Sequence, residues 1–144
     1  MEKIKILIEK GIDKLPQCRL VREEVFIKEQ KFEKEFDDID AYAYHELIYT
    51  DDKPVAVCRF FTDDKTEKIY HLGRVCVLKE YRGKSLGKAL LENTEMFLKL
   101  KGAEEIHLSA QVRAKDFYVK LGYTEYGEEF LDEYCPHINM KKKL

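Results

Sequence analysis

Residues 69–102, IYHLGRVCVLKEYRGKSLGKALLENTEMFLKLKG, read as a strand, a basic turn and a long helix in direct succession, and this unit constrains the fold more than any other stretch. His71 to Leu78 is apolar and β-branched enough for a buried strand, with Gly73 marking a bulge or a close backbone approach. The helix carries Leu86, Leu90, Leu91, Met96, Phe97 and Leu98 mostly on one face and stops at Gly102. Between the two, Arg82-Gly83-Lys84-Ser85-Leu86-Gly87-Lys88 sets cations around the open N–H groups of a helix's first turn, where phosphate is the natural ligand. Spacing argues against a nucleotide P-loop, because G-x-x-x-x-G-K-[ST] would need a glycine at Leu78.

Any such anion site is local, since 26 Lys and Arg stand against 28 Asp and Glu, a net charge of −2. That balance argues against nucleic acid as a partner. At 144 residues the chain reads as one domain, 1–144, long enough to bury a core. No apolar run approaches the ~20 residues that span a bilayer, and the N-terminus lacks a signal-peptide apolar region, so a cytoplasmic protein without membrane contact is expected. Cys18, Cys58, Cys76 and Cys135 show no C-x-x-C spacing, so no metal is expected, and Cys58 and Cys76 read as core thiols.

The remaining elements support the central unit. Ile4, Ile6 and Ile8 alternate in a first strand over 3–9. Asp13 is suited to N-cap a helix running to about Gln30, with Leu15, Cys18, Val21, Val25 and Phe26 as its core stripe, and with Arg22 and Glu29 on faces that are free to line a cleft. The acidic run 31–41 reads as a solvated loop. Strands over 44–50 and 54–62 flank the hairpin signal Asp51-Asp52-Lys53, and a strand over 105–110, a helix over 112–121 closed by Gly122, and strands over 123–130 and 136–142 complete the chain. The expected fold is α+β: a central mixed, mostly antiparallel sheet of about six or seven strands with helices on both faces, in the order βαββββαβαββ.

The turn at 82–88 resembles the [RQ]-x-x-G-x-[GA] turn of the GNAT acetyltransferases. Arg82 and Gly87 match its ends, and Ser85 stands where the first glycine is expected, a change that leaves the amides open if its φ stays negative. Ala114-Lys115-Asp116-Phe117-Tyr118-Val119-Lys120-Leu121-Gly122-Tyr123 is similar to the second signature of that family, A-x-x-F-Y-x-x-x-G-[FY]. The ending Gly127-Glu128-Glu129-Phe130 … His137-Ile138-Asn139-Met140, with the early block Val25-Phe26-Ile27-Lys28-Glu29-Gln30, is similar to the ElaA-like and glyphosate N-acetyltransferase-like branch.

The resemblance implies acetyl-CoA as cofactor, its pyrophosphate at Arg82, Gly83, Lys84, Ser85, Leu86, Gly87 and Lys88, and its pantetheine along Val75, Cys76 and Val77. One N–H of that strand would hold the oxyanion, Tyr118 would protonate the leaving thiolate, His137 of the H-x-x-M tail would be the general base, and Gln111 would bond cofactor or acceptor. It implies N-acetyl transfer to a primary amine by direct attack in a ternary complex; the acceptor is not identified, with a small molecule favoured over a protein, and a homodimer is left open. The rival reading is a CoA-binding sensor or partner-binding module of the same fold without catalysis.

From the residues alone the base stays open. An alkyl amine, with a pKa of about 10.4, is mostly protonated at neutral pH and needs a base, for which His45, His71 and Glu46 are the alternatives to His137. His107 reads as pointing away from the core. Arg74 and Arg113 are candidate anchors for an acidic acceptor, because guanidinium binds carboxylate through two parallel hydrogen bonds. Gln111 stands where the glyphosate-like enzymes have an arginine, and Arg74 is offset by one from another, which counts against a glyphosate-like acceptor.

Overall fold

The computed structural model describes residues 3–144. Seven strands form one sheet in the order β1-β2-β3-β4-β5-β7-β6: β1 (Ile4–Lys10), β2 (Tyr44–Thr50), β3 (Lys53–Phe61), β4 (Ile69–Val77), β5 (Glu105–Gln111), β6 (Thr124–Asp132) and β7 (Cys135–Lys143). β4 and β5 are parallel, while β1–β2, β2–β3, β5–β7 and β6–β7 are antiparallel, so the sheet is mixed and the class is α+β. The helices are α1 (Gln17–Arg22), which widens into a π-helical stretch over Glu23–Glu29, α2 (Leu86–Leu100) and α3 (Lys115–Lys120). Three strands stand between α1 and α2, where the expected order had four. Turns at Asp51-Asp52 and between β3 and β4 divide residues 44–77 into three runs, and 31–41 has no period-two alternation from which to build a fourth.

The chain divides into two compact units that share β4 and α2: one takes in the residues up to Phe61 together with Arg74–Thr94, the other Thr62–Gly73 and Glu95–Leu144. In the first unit β1, β2 and β3 form a meander. Its β2–β3 turn places both Asp51 (φ 49°) and Asp52 (φ 68°) in the left-handed region, as the two-residue turn that matches strand twist requires. Alternation then separates the side chains: His45 and Arg59, opposite one another, reach the 31–41 segment, while Glu46 and Cys58 reach Thr94 of α2.

The start of α1 differs from expectation. Ile12–Lys14 is a separate 3-10 turn, and the α-helix begins after Pro16 with no side-chain cap, so Asp13 is not its N-cap. Proline's fixed φ and missing N–H suit it to a helix start, and here it sets the boundary.

The 31–41 run is not a solvated loop. Glu35 and Asp40 are buried, and Asp37 caps a 3-10 turn over Asp38–Ala41, its Oδ1 accepting from the Ile39 amide at 3.1 Å. Arg22, fully buried rather than facing a cleft, donates from Nε to Glu35 at 2.8 Å and from Nη1 to Asp40 at 2.7 Å. Arg59 donates from Nη1 to Asp40 at 2.9 Å and to Asp37 at 2.6 Å, and Arg74 donates from Nη2 to the Glu35 carbonyl at 2.9 Å. Two arginines inside apolar elements must be neutralised on leaving water, and the acidic run supplies the carboxylates. Burial works against the charge on Asp40, but Arg22 and Arg59 hold its carboxyl down to about 2.

α2 buries Leu86, Leu90, Leu91, Thr94 and Leu98, while Met96, expected on that face, is exposed. The helix closes at Gly102 (φ 92°), with the Gly102 amide on the Lys99 carbonyl and the Ala103 amide on the Leu98 carbonyl, each at 3.0 Å. In the second unit Ile106, Leu108 and Ala110 of β5 and Ile138 and Met140 of β7 are buried, which leaves His107, Ser109, Gln111, His137 and Asn139 on the opposite sheet face. Among the described residues no helix is long and apolar enough to cross a membrane.

Candidate active site

The first unit carries the phosphate-type turn. After a 3-10 turn over Lys79–Tyr81, Arg82 is extended, and Gly83 (φ 81°) and Ser85 (φ 61°) are both left-handed. The expectation of a negative φ at Ser85 is therefore corrected. The turn needs a left-handed residue there, which costs serine roughly 1 kcal/mol and explains why glycine is the residue expected at that place. The first intrahelical bond runs from the Ala89 amide to the Ser85 carbonyl at 3.1 Å, so the amides of Leu86, Gly87 and Lys88 are the open donors of α2. Lys84 and Lys88 flank them.

Arg82 is engaged otherwise than expected of a phosphate ligand. Both Nη groups meet the Glu29 carboxylate, at 2.7 and 2.6 Å, and Nε donates to the Val77 carbonyl at 2.9 Å, so the guanidinium ties the turn to the end of β4 and to the π-helical stretch. Cys76 is buried, and burial pushes its thiol well above the ordinary range, while Val75 and Val77 are half-buried. Arg74, left-handed at φ 52°, is consumed by Glu35 and Asp37 and so is not the free anchor proposed for an acidic acceptor. The backbone irregularity of β4 thus falls at Arg74, next to Gly73.

Two alternatives for the base lie buried in this unit. His45 bonds the Asp40 carbonyl through Nε2 at 3.0 Å, and burial lowers its pKa. Glu46 is fully buried, with Oε1 accepting from Thr94 at 3.1 Å and Asn93 at 3.3 Å and Oε2 unpartnered. Burial pushes its carboxyl up to about 7.

This raised value predicts a pH-dependent stability. The folded pKa lies above the unfolded value of 4.5, so the folded state holds the extra proton between the two, and stability falls as pH rises through that window. The full loss by pH 8 is on the order of 3 kcal/mol. Urea midpoints measured from pH 5 to pH 8 should fall for the native chain and stay nearly level for Glu46→Gln; parallel curves for the two proteins would count against it.

The second unit carries the remaining residues. His137 of β7 pairs with Gln111 of β5 on one side and Phe130 of β6 on the other. Its Nδ1 lies 2.8 Å from the Cys135 carbonyl, an acceptor only, so Nδ1 carries the proton and Nε2 the lone pair. His137 is buried, with 8% of its surface exposed, and Nε2 has no partner among the described residues. Phe130 stacks on the imidazole with centroids 5.9 Å apart.

Tyr118 lies in the last turn of α3, which Gly122 (φ 97°) closes, the Tyr123 amide reaching the Tyr118 carbonyl at 3.0 Å and the two rings packing at 5.9 Å. Gln111 accepts from Arg113 Nε at 2.7 Å. His71 lies 3.4 Å from Asp63, and His107 bonds the Tyr126 hydroxyl and Glu105, at 3.1 and 3.0 Å, so each has an acidic neighbour at the sheet surface.

Sequence reading missed the Arg22–Glu35–Asp40–Arg59 cluster, Phe130 beside His137, and Glu29 beneath Arg82. The available signal was arginine inside the apolar stripe 18–26 and the apolar strand 54–61, because a buried arginine demands carboxylates.

The family description "Acetyltransferase (GNAT) domain" matches residues 13–144, and the chain belongs to that family. It is 37% identical over 142 residues to the uncharacterized N-acetyltransferase YjcF of Bacillus subtilis strain 168, covering 96% of this chain and 99% of YjcF. It is 36% identical over 135 residues to the uncharacterized protein YyaT of the same strain, covering 90% and 89%. The crystal structure of Escherichia coli ElaA superimposes with a TM-score of 0.84 at 26% identity, covering 99% of each chain.

Proposed function

We propose that the protein moves the acetyl group of acetyl-CoA to the primary amine of a small molecule, by direct attack while both are bound. The observation that supports this most is the set of open amides at Leu86, Gly87 and Lys88, flanked by two lysines and preceded by two left-handed residues, a cradle suited to a pyrophosphate. The thioester supplies an acyl group that is already activated. Val75, Cys76 and Val77 offer backbone hydrogen bonds to the pantetheine amides and to the oxyanion.

His137 Nε2 takes the proton of the attacking amine, the carbonyl carbon gains the C–N bond and loses the C–S bond, and the departing thiolate takes its proton from the Tyr118 hydroxyl. The cysteines take no part, consistent with Cys76 being a buried thiol held protonated by burial. The proposed setting is the cytoplasm, without nucleic acid or membrane as partner and with homodimerisation open. Release of CoA thiol from acetyl-CoA on addition of primary amines tests the activity, and no release with any amine would refute it.

A further inference from the structure

Gln111 on β5, His137 on β7 and Phe130 on β6 are register partners, so they stand in one row on the sheet face opposite the buried Ala110 and Ile138. Strands lie ~4.8 Å apart, so the row extends ~10 Å with the imidazole at its centre. At one end Phe130 keeps 38% of its surface exposed although it stacks on His137, which leaves apolar area for a ligand. At the other end Arg113 is exposed. Its Nε is held by Gln111, and its two Nη groups have no partner among the described residues. The guanidinium is thereby oriented but not neutralised.

We infer that the acceptor is a free α-amino acid with an apolar or aromatic side chain, its amine at His137, its carboxylate on Arg113 and its side chain on Phe130. One tetrahedral carbon bears all three groups, and the row offers their three partners in the matching sequence, the base between the cation and the apolar ring. The Arg113 cation disfavours diamines and polyamines, whose second charge would meet it. The inference rests on the acetyl-transfer reading and specifies its acceptor.

The test compares CoA release with matched pairs, leucine against 3-methylbutylamine and phenylalanine against phenethylamine, with alanine as the small amino acid, in the native chain, Arg113→Met and Phe130→Ala. The native protein should prefer each amino acid over its decarboxylated partner by ~10- to 100-fold in kcat/KM, the range of a charge-assisted hydrogen bond. Arg113→Met should lower that ratio by ~10-fold or more, a comparison between native chain and variant in which the differing basicity of the two amines cancels. Phe130→Ala should lower the preference for phenylalanine over alanine by ~10-fold, chiefly through KM. Amine acetylation with no preference for the carboxylate, or a ratio unchanged in Arg113→Met, would overturn the acceptor and leave acetyl transfer standing. Absence of turnover with every amine would overturn both.

Discussion

Arg22→Met is expected to destabilise the protein by about 3–5 kcal/mol, the largest single loss among the charged positions. The side chain is fully buried and meets Glu35 and Asp40 at 2.8 and 2.7 Å, so its removal leaves two carboxylates in a low-dielectric interior with less compensation. Methionine keeps the apolar stem and isolates the charge. The comparison is Glu29→Gln, which breaks the partly exposed pair with Arg82, where solvent screening limits the cost to less than ~1 kcal/mol. Urea denaturation of the two variants measures both. A loss below about 1 kcal/mol for Arg22→Met would mean that the cluster does not hold the 31–41 segment in place.

His137→Ala should lower kcat for acetyl transfer by roughly 10²–10⁴-fold, the range for losing a positioned general base. The carbonyl of Cys135 fixes the tautomer with its lone pair on Nε2, the form in which a histidine accepts a proton at once. Acetyl-CoA affinity should stay within a few-fold of native, since the variant leaves residues 82–88 untouched. Steady-state rates, with acetyl-CoA binding as the control, distinguish this from misfolding. A variant that retained more than about a third of native kcat would move the base elsewhere, and Glu46 and His45, both sealed in the first unit, are poor replacements.

Residues 44–61 show how much of the fold was legible. The Asp51-Asp52 pair tolerates left-handed φ, and its flanking apolar runs fix two strands almost to the residue. Gly102 and Gly122 closed their helices as expected because the caps are local in sequence. What was not legible depends on residues far apart in the chain. The partners of Arg22 lie at 35 and 40, and those of Arg59 at 37 and 40, and a charge run viewed alone carries no mark of the arginines that will bury it. Ser85 is a different case: a serine ordinarily keeps a negative φ, and only the demand of the whole turn forces it left-handed. On the candidate site, the turn and the tail histidine were readable as motifs. Phe130 beside His137 was not, because the bulge between Tyr126 and Phe130 resets the register that pairs them.

Calorimetric titration of acetyl-CoA into the native chain and into Gly87→Asp tests whether the turn at 82–88 holds the cofactor. Aspartate near a helix start is compatible with folding, so the substitution adds a carboxylate and bulk at the open amides without removing α2. Acetyl-CoA is expected to bind the native chain, and Gly87→Asp, with unchanged circular dichroism, to lose this binding. Equal binding by the two proteins, or none by either, would contradict a cofactor turn at 82–88.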